Sequence, residues 1–209
     1  GGNLAVFAAA NCPDSVSRRI DAVYNFDGPG FDAKFFETDG YVKVKPRVNT
    51  FVPRDSIVGM LLEHGSDYNI VESTERGIMQ HDGLSWKLEG TRFERAADRS
   101  EFSYMFDKAF SSWLSKLSED ERREMIEAIF GILYSTESYT LTELSERRSG
   151  VARALISLAP EKRRFLTEKL MSLVSGNAGT IIGNVIKPRI EAIKEEFIAV
   201  KEKIKKEKQ

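Results

Sequence analysis

Along the first hundred residues the apolar positions fall in short β-branched and aromatic runs separated by Gly, Pro and Asp. Beyond them the apolar positions recur at spacings of three and four over longer stretches. Leu4 to Asn11 is continuously apolar and rich in alanine, which predicts a short helix buried on most sides and ended by Cys12-Pro13-Asp14. Ile20 to Phe26 has the composition of a strand, and Asp27-Gly28-Pro29-Gly30 stops it sharply. A short helix is predicted over Phe31 to Thr38. Second and third strands are predicted over Arg47 to Val52, closed by Pro53-Arg54-Asp55, and over Tyr68 to Glu72, followed by a loop with His81. Strands separated by crossovers of this length favour a parallel sheet. Three strands are few for that architecture, because a parallel sheet must cover both faces and manage its edges.

From Phe102 the signal turns helical. Phe102, Met105, Phe106, Ala109, Phe110, Trp113, Leu114 and Leu117 form one amphipathic stripe. Ser118 with Glu121 is a capping-box pattern opening a second helix through Met125, Ile129 and Leu133. Two more helices are predicted over Leu141 to Leu158 and Pro160 to Val174, the latter with proline in its first turn. Ile186, Ile190, Ile193, Phe197, Val200 and Ile204 then step 4-3-4-3-4, an a/d stripe too short for a free-standing coiled coil and better suited to packing on the preceding helices. The predicted organisation is an α/β unit over residues 1–98 followed by an all-helical extension over 99–209, a lid, a docking surface or structural cladding.

Charge follows the same division. Residues 1–98 carry 11 Lys and Arg against 15 Asp and Glu, a net of -4; residues 99–209 carry 20 against 17, a net of +3. The chain as a whole has a net charge of -1, which speaks against nucleic acid as a partner. With 41% hydrophobic and 30% charged residues the 209-residue chain can bury a core. One cysteine excludes an internal disulfide framework, and two histidines make an all-protein zinc cage a poor expectation. No cofactor or metal is expected, and the location expected is cytoplasmic.

The chemistry-bearing positions lie at turns. The chain opens Gly1-Gly2-Asn3-Leu4-Ala5-Val6, without Met, directly before the alanine-rich helix. In a G-x-S-x-G nucleophile elbow a strand turns abruptly into a helix, with serine at the strained apex and small residues where the backbones approach. Gly1 matches the final glycine of such an elbow, which places the expected serine two positions before it. Next come Tyr24-Asn25-Phe26-Asp27-Gly28-Pro29-Gly30-Phe31, a strand ending in a Gly/Pro turn, and Phe51-Val52-Pro53-Arg54-Asp55-Ser56-Ile57-Val58-Gly59, a strand ending in an acidic residue. Gln80-His81-Asp82-Gly83-Leu84-Ser85-Trp86 puts a histidine in the loop beyond the third strand. Turn, acid and histidine at successive strand ends follow the Ser…Asp…His order of an α/β-hydrolase.

These four blocks together resemble a lipase-like family of bacterial α/β-hydrolases related to the fungal-type triglyceride lipases. The elbow there resembles G-H-S-x-G-G-N-L-A and is followed by a F-D-G-P-G-F turn, a D-S-I-V-G segment and a Q-H-D-x-x-S-W loop. The resemblance covers about residues 1–90 and implies Asp55 as the catalytic acid and His81 as the base. It departs at the serine and the residue after it, an oxyanion-hole donor, which this chain does not contain. Asp55 would orient the His81 imidazole, which would take the serine proton during attack on an acyl carbonyl.

Other assignments stay open at these positions. Asp55 is also placed to cap a helix starting near Ser56, His64 is a second candidate base, and Asp27 a second candidate acid, although its Gly-Pro neighbours favour a turn. Cys12 is better read as a core residue than as a nucleophile, and Glu63, His64 and Asp67 make a poor metal set. Gly179-Thr180-Ile181-Ile182-Gly183 is read as close helix packing, and Lys201 to Lys208 as a solvated face with at most a weak membrane-surface contact. Two functions are therefore expected. The first is part of a serine hydrolase acting on a small acyl ester or a lipid through an acyl-enzyme, the parent protein being a carboxylic-ester hydrolase and this chain alone inactive. The second is a non-catalytic α/β-hydrolase-like binding or scaffold protein. Self-association is expected through the C-terminal helix or through the open side of the strand at Ile20–Phe26.

Overall fold

The computed structural model describes residues 1–65, 67–136, 143, 148–175 and 198. Two compact units divide the chain, Gly1–Asp107 and Lys108–Gln209. The division falls at 107/108, within a helix, and leaves residues 99–107 with the α/β unit instead of with the extension that composition sets off at 99.

The first unit begins with α1 (Gly2–Asn11) and the single-turn α2 (Asp14–Ser17), then β1 (Val23–Phe26). A short 3-10 helix over Ala33–Glu37 leads into α3 (Asp39–Val44), whose first turn is capped by Thr38 Oγ1, accepting from Tyr41 N at 3.3 Å. Then come β2 (Val48–Pro53) and β3 (Tyr68–Val71). The three strands form one parallel sheet in the order β1-β2-β3, with Val23 facing Val48 and Thr50 facing Tyr68. Mixed α/β architecture with a parallel sheet and a helical C-terminal region is thus what the chain adopts. A small antiparallel pair, β4 (Leu88–Glu89) and β5 (Arg92–Phe93), was not visible in the apolar pattern. Neither strand exceeds two residues, too short for alternation to register.

Alternation in β1 sorts the side chains. Val23 and Asn25 are buried and Tyr24 and Phe26 turn to the opposite face. Val23 joins Val6 and Ala9 of α1 and Tyr41 and Val44 of α3 in one apolar cluster, with Phe31, Phe35 and Phe36 packed against it. On the other face Phe26, Phe51, Trp86 and Phe93 form a mutual aromatic group with ring centroids 5.3–5.9 Å apart. Arg47 Nη1 donates to Ser17 O at 2.6 Å and to Ile20 O at 2.8 Å, fixing the approach to β1. The helix at the chain's start is less buried than its composition predicts. Only Val6 and Ala9 are enclosed, while Leu4 is 70% and Phe7 50% exposed. Among the described residues β1 pairs with β2 alone, so its other side carries no strand.

No helix starts near Ser56. Residues 55–65 run as turns and bends with a bridge from Glu63 to Phe31 and with Leu62 at φ 67°, so the helix start that Asp55 would cap is not realised.

Helix α4 (Glu101–Leu114) crosses the division between the units. The second unit continues with α5 (Glu119–Ser135), α6 (Arg148–Ser157) and α7 (Pro160–Ser175). The capping box forms as predicted, with Glu121 N donating to Ser118 Oγ at 3.2 Å and Ser118 N to Glu121 Oε2 at 2.9 Å. Trp113, Leu117, Met125, Ala128, Ile132, Ala154, Leu166 and Leu173 make its core. The stripe from Ile186 to Ile204, the Gly179–Gly183 segment and Lys201 to Lys208 lie outside the described residues, except for the helical Ile198. Among the described residues no helix is long and apolar enough to cross a membrane.

Candidate functional site

The site lies at the carboxyl ends of the parallel strands, where side chains from successive loops converge. At the end of β1, Asp27 N still donates to Phe51 O at 2.8 Å, and Asp27 then turns into the left-handed region at φ 49°. A non-glycine residue there is uncommon, although aspartate tolerates it better than most, and such positions concentrate at functional sites. Gly28 follows, its N–H donating to Asn25 Oδ1 at 3.0 Å.

This turn is pressed against the first turn of α1. A Cβ on Gly28 would lie 2.5 Å from Asn3 N, so only glycine permits the approach. Asn3 Nδ2 completes the seam by donating to Pro29 O and Gly30 O, both at 2.9 Å. The helix start and the Asp27 turn are therefore one packed unit.

Asp27 is 1% exposed, and both its oxygens are engaged. Oδ1 accepts from Ser56 Oγ at 2.5 Å and from Gly59 N at 3.2 Å, and Oδ2 lies 2.9 Å from His81 Nδ1. Burial pushes the Asp27 carboxyl above its ordinary value, while the hydrogen bonds from His81, Ser56 and Gly59 pull it back. With Asp27 ionised, Nδ1 of His81 carries the proton, leaving Nε2 as the acceptor nitrogen. Among the described residues His81 Nε2 makes no hydrogen bond, and the ring is 32% exposed.

Asp55, the acid implied by the resemblance, does not meet His81. Its Oδ2 accepts from Gly77 N at 3.3 Å and, at a long 3.4 Å, from Gln80 Nε2. Its own N–H donates to Gln80 Oε1 at 2.8 Å. Gln80, 5% exposed, also donates from Nε2 to Glu75 O at 2.6 Å and accepts at its carbonyl from Trp86 Nε1 at 2.7 Å. Asp55 and Gln80 thus hold the loop whose next residue is His81. The structure brings His81 to Asp27 because the β1 turn points its carboxylate inward, while Asp55, past the end of β2, is bonded to the Gly77 N–H and the Gln80 side chain.

The remaining candidates stand apart. His64 packs edge-on to Tyr68 at 5.9 Å, and its Nε2 is buried with no hydrogen-bond partner among the described residues. Burial pushes the His64 imidazole below its ordinary value; Asp107 and Asp27 raise it and Arg99 lowers it. Cys12 Sγ donates to Ala9 O at 3.3 Å. Among the described residues no three His, Cys, Asp or Glu side chains are arranged to hold a metal, Glu63, His64 and Asp67 included.

Ser56, Gly59 and Gln80 escaped sequence reasoning as site residues. Ser56 and Gly59 are the S and G of the D-S-I-V-G segment and Gln80 is the Q of Q-H-D, so the segments carried a signal that single residue types did not. Gly59 has a clear steric reason, since a Cβ there would lie 2.2 Å from Asp27 Oδ1 and 2.7 Å from Ser56 Oγ.

No curated protein and no solved structure matches the chain. The family model described as Mbeg1-like matches residues 1–131, more than half of the 209 residues and all of the site just described. The chain therefore belongs to the Mbeg1-like family.

Proposed function

We propose that this chain is the part of a serine hydrolase of α/β-hydrolase type that carries its base and orienting acid, His81 and Asp27. The observation that carries the reading is the 2.9 Å contact between His81 Nδ1 and the buried Asp27 Oδ2. A buried carboxylate on one imidazole nitrogen fixes the tautomer and leaves the other nitrogen to take a proton from a nucleophile. The serine bonded to this pair, Ser56, donates to Asp27 and not to His81, so it is not the nucleophile. A serine two positions before Gly1 would sit at the start of α1, the helix that packs on the Asp27 turn through Asn3 and Gly28.

In the proposed cycle the serine hydroxyl attacks the acyl carbonyl of a small ester or a lipid while His81 Nε2 accepts its proton. The alcohol leaves with that proton, and water repeats the sequence to release the acid. Asp27 stays ionised and stabilises the imidazolium. Asp55 acts through Gln80 as a positioning residue for the loop. The sheet, extended by strands before α1, would be that of an α/β-hydrolase.

The test uses the protein extended upstream of Gly1 by a segment that includes Gly-x-Ser-x. It should hydrolyse short p-nitrophenyl esters and label with a fluorophosphonate probe, and His81→Ala should abolish labelling. An extended protein that binds esters without turning them over, or labelling that survives His81→Ala, would refute the hydrolase reading and leave a binding or scaffold role.

A further inference from the structure

The Asp27 carboxylate is held from behind by a chain of buried polar groups that reaches the first turns of α4. Ser56 Oγ can serve Asp27 only if the Ser56 backbone is fixed. Its N–H donates to Pro53 O at 3.0 Å, and its carbonyl accepts from Ser103 Oγ at 2.7 Å. Ser103 is fully buried, and its hydroxyl is used twice, since it also accepts from Arg99 Nη1 at 3.2 Å. Arg99, 7% exposed, donates from Nη2 to Asp107 Oδ2 at 3.1 Å and lies 4.1 Å over the Tyr104 ring and 5.7 Å over that of Tyr68. Ser100 N ties the same turn to Arg54 O at 2.8 Å. Every link lies within the first unit.

We propose that Ser56, Ser103 and Arg99 form a positioning relay that sets the orientation of the Asp27 carboxylate toward His81. Burying the Arg99 guanidinium against the partly exposed Asp107 is a weak way to gain stability, because desolvation offsets the attraction. It does give a unique geometry, since the planar guanidinium presents donors in fixed directions. The Ser103 hydroxyl passes that geometry on by giving its one proton to Ser56 O and its lone pair to Arg99. Residues 99–107 thereby become part of the site and not merely the start of a helical extension. The inference rests on the reading of Asp27 and His81 as orienter and base.

Proton NMR of the 209-residue chain tests it through the His81 Nδ1–H resonance, which a bond to a buried carboxylate moves downfield and protects from solvent exchange. Ser56→Ala and Ser103→Ala should each shift that resonance and raise its exchange rate about tenfold or more. Val44→Ala, which opens the fully buried core beneath α3, should leave it in place. Ser56→Ala keeps the main-chain bond to Ser103, so it reports on the relay even where Ser103→Ala does not fold. A resonance unchanged in both serine variants but lost in Asp27→Asn would overturn the relay and spare the pair. One moved equally by Val44→Ala would overturn it as a mere effect of stability. A resonance that persists in Asp27→Asn would overturn the pair itself, and with it the hydrolase reading.

Discussion

His81 Nδ1 and Asp27 Oδ2 meet at 2.9 Å across 54 positions of sequence, joining the end of the first strand to the loop after the third. The parallel order β1-β2-β3 makes the meeting possible, because it puts all three strand ends on one side of the sheet. Asp55, at the strand end between them, is the nearer in sequence and is used to hold the Gly77 N–H and the Gln80 side chain. The pair is therefore assembled across the middle strand.

Gly59 should be intolerant of even one added methyl group. Its Cβ would stand 2.2 Å from Asp27 Oδ1, displacing the carboxylate that Gly59 N and Ser56 Oγ hold. Gly59→Ala is expected to destabilise the protein by about 1–3 kcal/mol, the range for overpacking together with a disrupted buried hydrogen bond. Urea unfolding measures it, and a midpoint equal to wild type would show that Asp27 is not enclosed as described.

The buried Asp27 and the half-buried His64 give opposite contributions to stability across pH. His64 has an imidazole whose pKa is lowered from 6.5 by burial, so its contribution is present above pH 6.5 and is lost as pH falls through the folded value. Asp27 is raised from 3.8, so the stability linked to its neutral form is present below pH 3.8 and is lost as pH rises through its folded value. His64→Phe, which keeps a ring against Tyr68 and removes the titrating group, should flatten the loss of thermal stability as pH falls below 6.5. Equal losses in variant and wild type would remove His64 from the account.

The sequence made the architecture legible where physical signals are strong. Glycine and proline punctuation isolated the three parallel strands, and the Ser118–Glu121 capping box marked α5 to the residue. His81 was visible because histidine is scarce and stood in a loop after a strand. The aspartate that meets it was not, because two aspartates end successive strands and residue type does not separate them. What distinguishes Asp27 is a positive φ and a carboxylate sunk between Ser56 and Gly59, both products of tertiary packing. Gly28 and Pro29 did mark a turn, and the turn is what aims the carboxylate inward. The stretch after Asp55 has helical composition but wraps around Asp27, since tertiary hydrogen bonds outweigh weak propensity.

The open side of β1 should make the isolated chain associate. Tyr24 is 54% and Phe26 45% exposed, and neither lysine nor proline blunts the strand between Val23 and Phe26. Sedimentation should show mass rising with concentration, and Tyr24→Lys should reduce it. A wild-type chain that stays monomeric, with slow amide exchange along Val23–Phe26, would contradict this.

In the proposed hydrolase Asp27, and not Asp55, orients His81. The most direct test of that assignment compares ester hydrolysis by Asp27→Asn and Asp55→Asn in the protein extended to include the proposed serine. Asp27→Asn is predicted to lower kcat about 10⁴-fold, as loss of the orienting carboxylate does in a serine triad. Asp55→Asn, which only loosens the loop, should lower kcat by no more than about 100-fold. The reverse order, with Asp55→Asn the more damaging variant, would contradict the account.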